Sequence, residues 1–241
     1  YQALALAPST YRTLVLVGII PGLLALVVLA LFVHEVRSRG PARSLFLSLV
    51  GYDRRFYVFL AAVVLFTLGN SSDAFLILRA SNLGLTALQV ALVVFAFNIL
   101  YSLLALPLGA LSDRIGRRRV IFLGWGIYAL IYLGFGLSYA AWHVVLLYVL
   151  YGAYYAAFEG VSKALVADVV TDSSRRGTAY GLYQVAVGVS ALPASVIAGV
   201  LWDTLGPSSP FLFGAAMVLV AGVLLWFGVR PGVHLGRSRH P

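Results

Sequence analysis

The chain has 241 residues, 61% of them hydrophobic and 10% charged, and its mean hydropathy of +0.96 is too high for a single water-soluble core. A net charge of +9 with a pI near 10.0 would suit a nucleic-acid binder, but the arginines are gathered into alternate loops, so no nucleic-acid partner is expected. The absence of cysteine rules out disulfides, thiolate metal sites and iron–sulfur clusters, and His34, His143, His234 and His240 show no ligand spacing, so neither metal nor cofactor is expected.

Apolar runs of about 20 residues match a bilayer core of roughly 30 Å at a helical rise of about 1.5 Å per residue. Seven such runs are predicted to span, at 13–34, 56–80, 87–111, 119–138, 142–166, 178–201 and 210–229. They are continuous rather than alternating, which excludes barrel strands. Ahead of them, residues 1–8 read as the end of an earlier helix that turns through Pro8, Ser9 and Thr10. The chain starts at Tyr1, and its only methionine is Met217; a fragment lacking an N-terminal portion is therefore expected.

After the first run, residues 35–55 form a basic connection broken at Gly40-Pro41. Within it Leu45, Phe46, Leu49 and Val50 recur at helical spacing, as in a short helix lying on the membrane surface. The second run carries the polar patch Gly69-Asn70-Ser71-Ser72-Asp73, read as a local unwinding or a face turned to a cavity. Arg79 lies near its end. Arg37, Arg39, Arg43, Arg54 and Arg55 follow the first run, Arg114, Arg117, Arg118 and Arg119 the third, and Arg175 and Arg176 the fifth. Arg230, Arg237 and Arg239 follow the last, in a tail over 230–241, whereas the alternate loops hold only Arg12 and Arg79. By the positive-inside rule the basic loops and the C-terminus face the cytoplasm.

The run Gly109-Ala-Leu-Ser-Asp-Arg-Ile-Gly-Arg-Arg-Arg119 links the third and fourth spans. It resembles the signature loop of the major facilitator superfamily, Gly-x-Leu-x-Asp-Arg-x-Gly-Arg-Arg, matching it at Gly109, Leu111, Asp113, Arg114, Gly116, Arg117 and Arg118. A shift of 90 residues places Gly109, Leu111, Asp113 and Gly116 on Gly199, Leu201, Asp203 and Gly206, and Ser72 and Asp73 on Ser162 and Lys163. Three helices separate the copies, so they have opposite topology, as in an inverted three-plus-three repeat.

The resemblance implies an all-α integral membrane protein with seven transmembrane helices, six of them an inverted repeat forming one half of a major-facilitator fold. It implies the last helix of a truncated N-terminal half over 1–34, a cytoplasmic link over 35–55, and the C-terminal six-helix half over 56–229. The activity implied is secondary active transport of small solutes by rocking alternating access in the plasma (inner) membrane. The expected partners are the lipid bilayer, a small-molecule substrate and the missing N-terminal half.

An ionisable side chain inside a spanning helix costs about 2.5 to 3.5 kcal/mol on insertion scales, so each needs a partner or a task. Glu159 and Lys163 are four residues apart and share a helix face, as an ion pair or as a proton site that Lys163 tunes. Tyr151 and Tyr155 precede Glu159 at the same step and either line its path or pack. Gly152, Ala156 and Gly160 make a small-residue face for a close helix contact. Asn70, Ser71, Ser72 and Asp73 are candidates for the substrate or proton pathway, with Asn98, Tyr101 and Gln184 weaker ones. Arg79 is the expected partner of Asp73, or else snorkels to the headgroups.

Asp168 precedes Arg175 by seven residues, which resembles the acidic-x6-Arg pattern that the family pairs with its signature loop, although Arg176 is equally well placed. The resemblance implies a cytoplasmic latch built from Asp113, Arg114, Arg117, Arg118, Asp168 and Arg175 or Arg176. Two rivals remain open: a seven-helix receptor, with Lys163 as a Schiff-base candidate, and a half-size partner subunit without transport of its own. An intramembrane enzyme is not expected, because no Ser-His, His-x-x-His or Asp-Asp arrangement falls within the spans.

Overall fold

The computed structural model describes residues 8–32, 51–71, 73–170 and 172–228. The chain divides at Phe46 into two units. The first contains α1 (Pro8–Phe32), a 25-residue helix that continues through Pro21. Its apolar stretch Ile19–Phe32 is shorter than a bilayer crossing. Six helices of the described residues are long and apolar enough to cross a membrane, all of them in the second unit. The expected count of seven therefore hangs on α1, and six is the number these residues support. The expected surface helix within 35–55 and the tail over 230–241 lie outside the described residues, as does Ser72.

The second unit contains α2 (Arg54–Gly69), α3 (Ala74–Asn82), α4 (Ala87–Ile115), α5 (Arg117–Leu137), α6 (Ala141–Val169), α7 (Arg176–Leu205) and α8 (Ser209–Gly228). The described residues contain no strand. Together α2 and α3 make one crossing, Arg54–Asn82, interrupted at the polar patch. Glycine, Asn, Ser and Asp are poor helix formers, and the short polar side chains compete for the backbone. The helix accordingly stops at Gly69, with the Asn70 N–H turning back to Phe66 O and Thr67 O at 2.9 and 3.0 Å.

Helix α4 opens with a capping box between Thr86 and Gln89 and closes at Gly116, whose φ of 98° favours glycine. Gly116 is the single residue between α4 and α5. The turn from α7 into α8 uses Gly206 in the same way, with φ 93°. Between α6 and α7 the Asp172 carboxylate accepts hydrogen bonds from the N–H and hydroxyl of Ser174, at 2.9 and 2.7 Å, and a 3-10 turn, Ser173–Arg175, leads into α7.

Helix α4 packs on α6, α5 on α6 and α8, and α2 on α7 and α8. Missing side chains set these contacts. A Cβ on Gly152 of α6 would lie 2.7 Å from Phe97 O of α4, and one on Gly69 of α2 would lie 2.5 Å from the Met217 Cβ of α8. Between the helices lies a core rich in aromatic rings, with Phe66 stacked on Trp125 at 5.1 Å and Tyr128 on Tyr132 at 3.9 Å. Apolar side chains also face outward, among them Leu92, Phe95, Leu103 and Leu106 on α4 and Val189, Leu192 and Val196 on α7. That arrangement suits a hydrocarbon solvent, where helices satisfy their own backbone groups.

Candidate functional site in the interrupted helix

Interrupting a helix frees polar groups that water cannot reach, and here tyrosines from two neighbouring helices meet them. From α5, the Tyr128 hydroxyl donates to Gly69 O at 3.1 Å and Tyr132 to Asn70 Oδ1 at 3.3 Å. From α6, Tyr151 donates to Asn70 Oδ1 at 3.3 Å and to Asp73 Oδ1 at 3.4 Å, and Tyr155 to Asp73 Oδ2 at 3.0 Å. Tyr128, Tyr132 and Tyr151 are fully buried, Ser71 is buried and Asp73 partly so. Tyr151 and Tyr155 thus donate to Asp73 directly.

Arg79 is not the partner of Asp73. Its guanidinium instead donates to Ser138 O at 2.6 Å, Asn82 Oδ1 at 3.0 Å and Ser208 Oγ at 3.4 Å. At 6% exposure it does not snorkel; it ties α3 to the loops that follow α5 and α7. Leaning back toward Asp73 would forfeit three hydrogen bonds for one ion pair.

Glu159 and Lys163 form an ion pair at 3.3 Å on an unbroken α6, and Tyr101 of α4 donates to the other carboxylate oxygen at 3.0 Å. Their side chains are 45% and 47% exposed on the surface of the helix bundle. The Tyr101 and Tyr155 rings meet edge to face at 6.1 Å, and Phe97 lies edge to face with Tyr155 at 5.4 Å. A continuous strip therefore runs from Asp73 through Tyr155 and Tyr101 to Glu159. Of the weaker candidates, Asn98 bonds to Val94 O in its own helix and Gln184 is exposed.

At the signature-loop end, arginines donate to backbone carbonyls in the last turns of α6 and α8. Arg117 bridges Asp113 at 3.5 Å and Asp168 at 3.2 Å and also donates to Ala164 O in the last part of α6. Arg118 donates to Trp226 O of α8 at 2.6 Å and lies 5.0 Å from the Trp226 ring centre. Arg175 turns to the start of α2 instead of the signature loop, donating to Gly51 O at 2.6 Å and covering the Tyr52 ring at 4.4 Å. Arg176 donates to Val170 O at 3.4 Å, while Arg114 is exposed in the last turn of α4. Thus Arg117, rather than Arg175 or Arg176, joins the two aspartates. Between α4 and α6 a cavity of about 360 Å3 opens here, lined by Tyr101, Gly109, Asp113, Arg117, Ala156 and Gly160. The small-residue face of α6 therefore serves two ends: Gly152 allows close contact and Gly160 leaves space.

Tyr128 and Tyr132 escaped the sequence reading. Their four-residue spacing on an apolar helix is indistinguishable from packing until the partners on α2 are in place.

The apolar helices, with polar groups held between them, are those of a multi-pass membrane protein. The profile of the Major Facilitator Superfamily matches residues 58–240, and the chain belongs to that superfamily. An MFS-type transporter of Methanocaldococcus jannaschii is 34% identical over 225 residues, covering 90% of this chain and 56% of the relative. A synaptic vesicular amine transporter of Mus musculus is 29% identical over 144 residues, 59% of this chain and 28% of the relative. A vesicular acetylcholine transporter of Tetronarce californica is 31% identical over 142 residues, 58% and 27% respectively. The matched stretch is thus about half the length of the archaeal relative and about a quarter of the vesicular ones.

Proposed function

We propose that the chain supplies one six-helix half of a secondary active transporter for small solutes, working by rocking alternating access in the plasma membrane with the signature loop and C-terminus cytoplasmic. The observation that carries this reading is the polar strip from Asp73 to Glu159, built inside the spans from an interrupted helix and two tyrosine-bearing neighbours. Glu159 is the proton-coupling group and Lys163 its modulator. Arg117, bonded to Asp113 and Asp168, is the centre of a latch that closes the cytoplasmic side in one state.

The half is read as an inverted repeat, α2–α3, α4 and α5 answering to α6, α7 and α8. Exchanging the two sets turns the α4–α6 packing into α7–α2 and the α5–α6 packing into α8–α2, and leaves the α5–α8 pair unchanged. Gly116 and Gly206 then fall on one another with φ of 98° and 93°. A half-size subunit without transport of its own is the second reading, favoured by the fact that the six spans pack as one unit.

Reading the coding sequence upstream of Tyr1 separates the two. Five further spans with another signature loop would support a two-half transporter, and a start codon immediately before Tyr1 would favour the subunit. Uptake into proteoliposomes under an imposed pH gradient tests the coupling. Glu159→Gln is expected to remove the response to the gradient, and an unchanged pH dependence would sink the proton assignment.

A further inference from the structure

Asp73 is a carboxylate inside a spanning helix whose compensation is incomplete. Two tyrosine hydroxyls donate to it, and among the described residues no basic side chain lies within ion-pair distance. Arg79, the basic residue nearest in sequence, is engaged instead by Ser138, Asn82 and Ser208. At the far end of the strip Lys163 balances Glu159 at 3.3 Å, so the excess negative charge sits at Asp73.

Between the two acids lie the partly buried rings of Phe97, Tyr155 and Tyr101. The hydroxyl of Tyr155 is donated to Asp73 and that of Tyr101 to Glu159, leaving ring surface as what the strip offers a ligand. Aromatic faces carry negative potential and attract cations. An anion would meet a carboxylate and electron-rich rings, and a polyol could donate to Asp73 without offsetting its charge. A bare metal ion needs several free oxygens. Here Asn70 Oδ1 accepts from Tyr132 and Tyr151, and Gly69 O from Tyr128.

We infer that this strip binds an organic cation, with the positive group set against Asp73 and the apolar substituents against Tyr155, Phe97 and Tyr101. The inference deepens the transporter reading and rests on it for the step from binding to movement.

Three probes that share a benzyl group and differ in charge test it: benzyltrimethylammonium, benzyl alcohol and phenylacetate. Their affinities are measured by equilibrium dialysis against the full chain in lipid nanodiscs. The cation is expected to bind at least tenfold more tightly than either of the others, a comparison that needs no variant. Asp73→Asn is expected to weaken cation binding at least tenfold while leaving benzyl alcohol unchanged, and Tyr155→Leu to weaken it several-fold. Equal or weaker binding of the cation, no binding of it, or full affinity in Asp73→Asn would each overturn the site. Flux of the same compounds in proteoliposomes separates the two claims: a bound cation that is not moved counts against transport and leaves the site standing, whereas movement of neutral or anionic solutes without cation binding does the reverse.

Discussion

Residues 69–73 and 159–163 stand ninety positions apart, and each places a carboxylate inside a membrane crossing. In the second segment Lys163 lies one helical turn from Glu159, the pair closes at 3.3 Å, and α6 runs on unbroken. In the first, Asp73 has no such neighbour; the helix opens, and hydroxyl donors arrive from Tyr151 and Tyr155. A partner on the same helix preserves the backbone ladder, whereas an acid without one draws its donors from other helices, and the freed backbone then needs donors as well. Tyr128 answers that second need at Gly69 O.

The sharpest way to break the contrast is to remove both donors from Asp73. Tyr151→Phe with Tyr155→Phe leaves a membrane carboxylate without its hydroxyls, and hydrogen bonds to charged groups contribute about 1.5–3 kcal/mol each. The double variant is expected to lose roughly 3–6 kcal/mol in reversible unfolding in detergent. Each single variant should lose about half of that. Next in size, Gly69→Ala would place a Cβ 2.5 Å from the Met217 Cβ and force α8 off α2. A loss of about 1–3 kcal/mol is expected, and partial restoration by Met217→Gly, which removes the opposing Cβ, would confirm the contact.

Smaller effects belong to the ion-paired segment. Glu159→Gln removes a half-exposed pair worth about 0.2–1 kcal/mol, so its unfolding midpoint should barely move even as pH-driven uptake is lost. A stability loss as large as that of the tyrosine pair would erase the distinction between the segments. Asp113→Asn should be smallest of all in stability, because Asp113 is mostly exposed and Arg117 keeps Asp168 and Ala164 O. Its expected mark is slower transport with normal membrane insertion; a normal rate would refute the latch.

How much of this could be read from residues alone depended on how far apart the partners lie. The second to seventh runs, the polar patch and the turn glycine Gly116 are local signals, and they fell within a few residues of α2–α8. The Glu159–Lys163 pair was legible for the same reason, being one turn of one helix. The donors to Asp73 were not, because Tyr151 and Tyr155 lie 78 and 82 residues further along the chain. Proximity in sequence favoured Arg79 for that role, and the carbonyl of Ser138, 59 residues away, claimed it instead. Likewise Arg175 looked like the latch residue by spacing, until Gly51 and Tyr52 of a distant loop took its guanidinium.

The one-residue joint at Gly116 limits how this unit can move. Helix α4 is 29 residues long, about 43 Å at the usual rise, so a tilt of about 5° displaces its far end by about 4 Å. No slack separates it from α5. The next two residues, Arg117 and Arg118, are moored to backbone oxygens of α6 and α8. A displacement of the stretch of α4 beyond Pro107 would therefore be handed on to three other helices at one place, as through a lever with a stiff elbow.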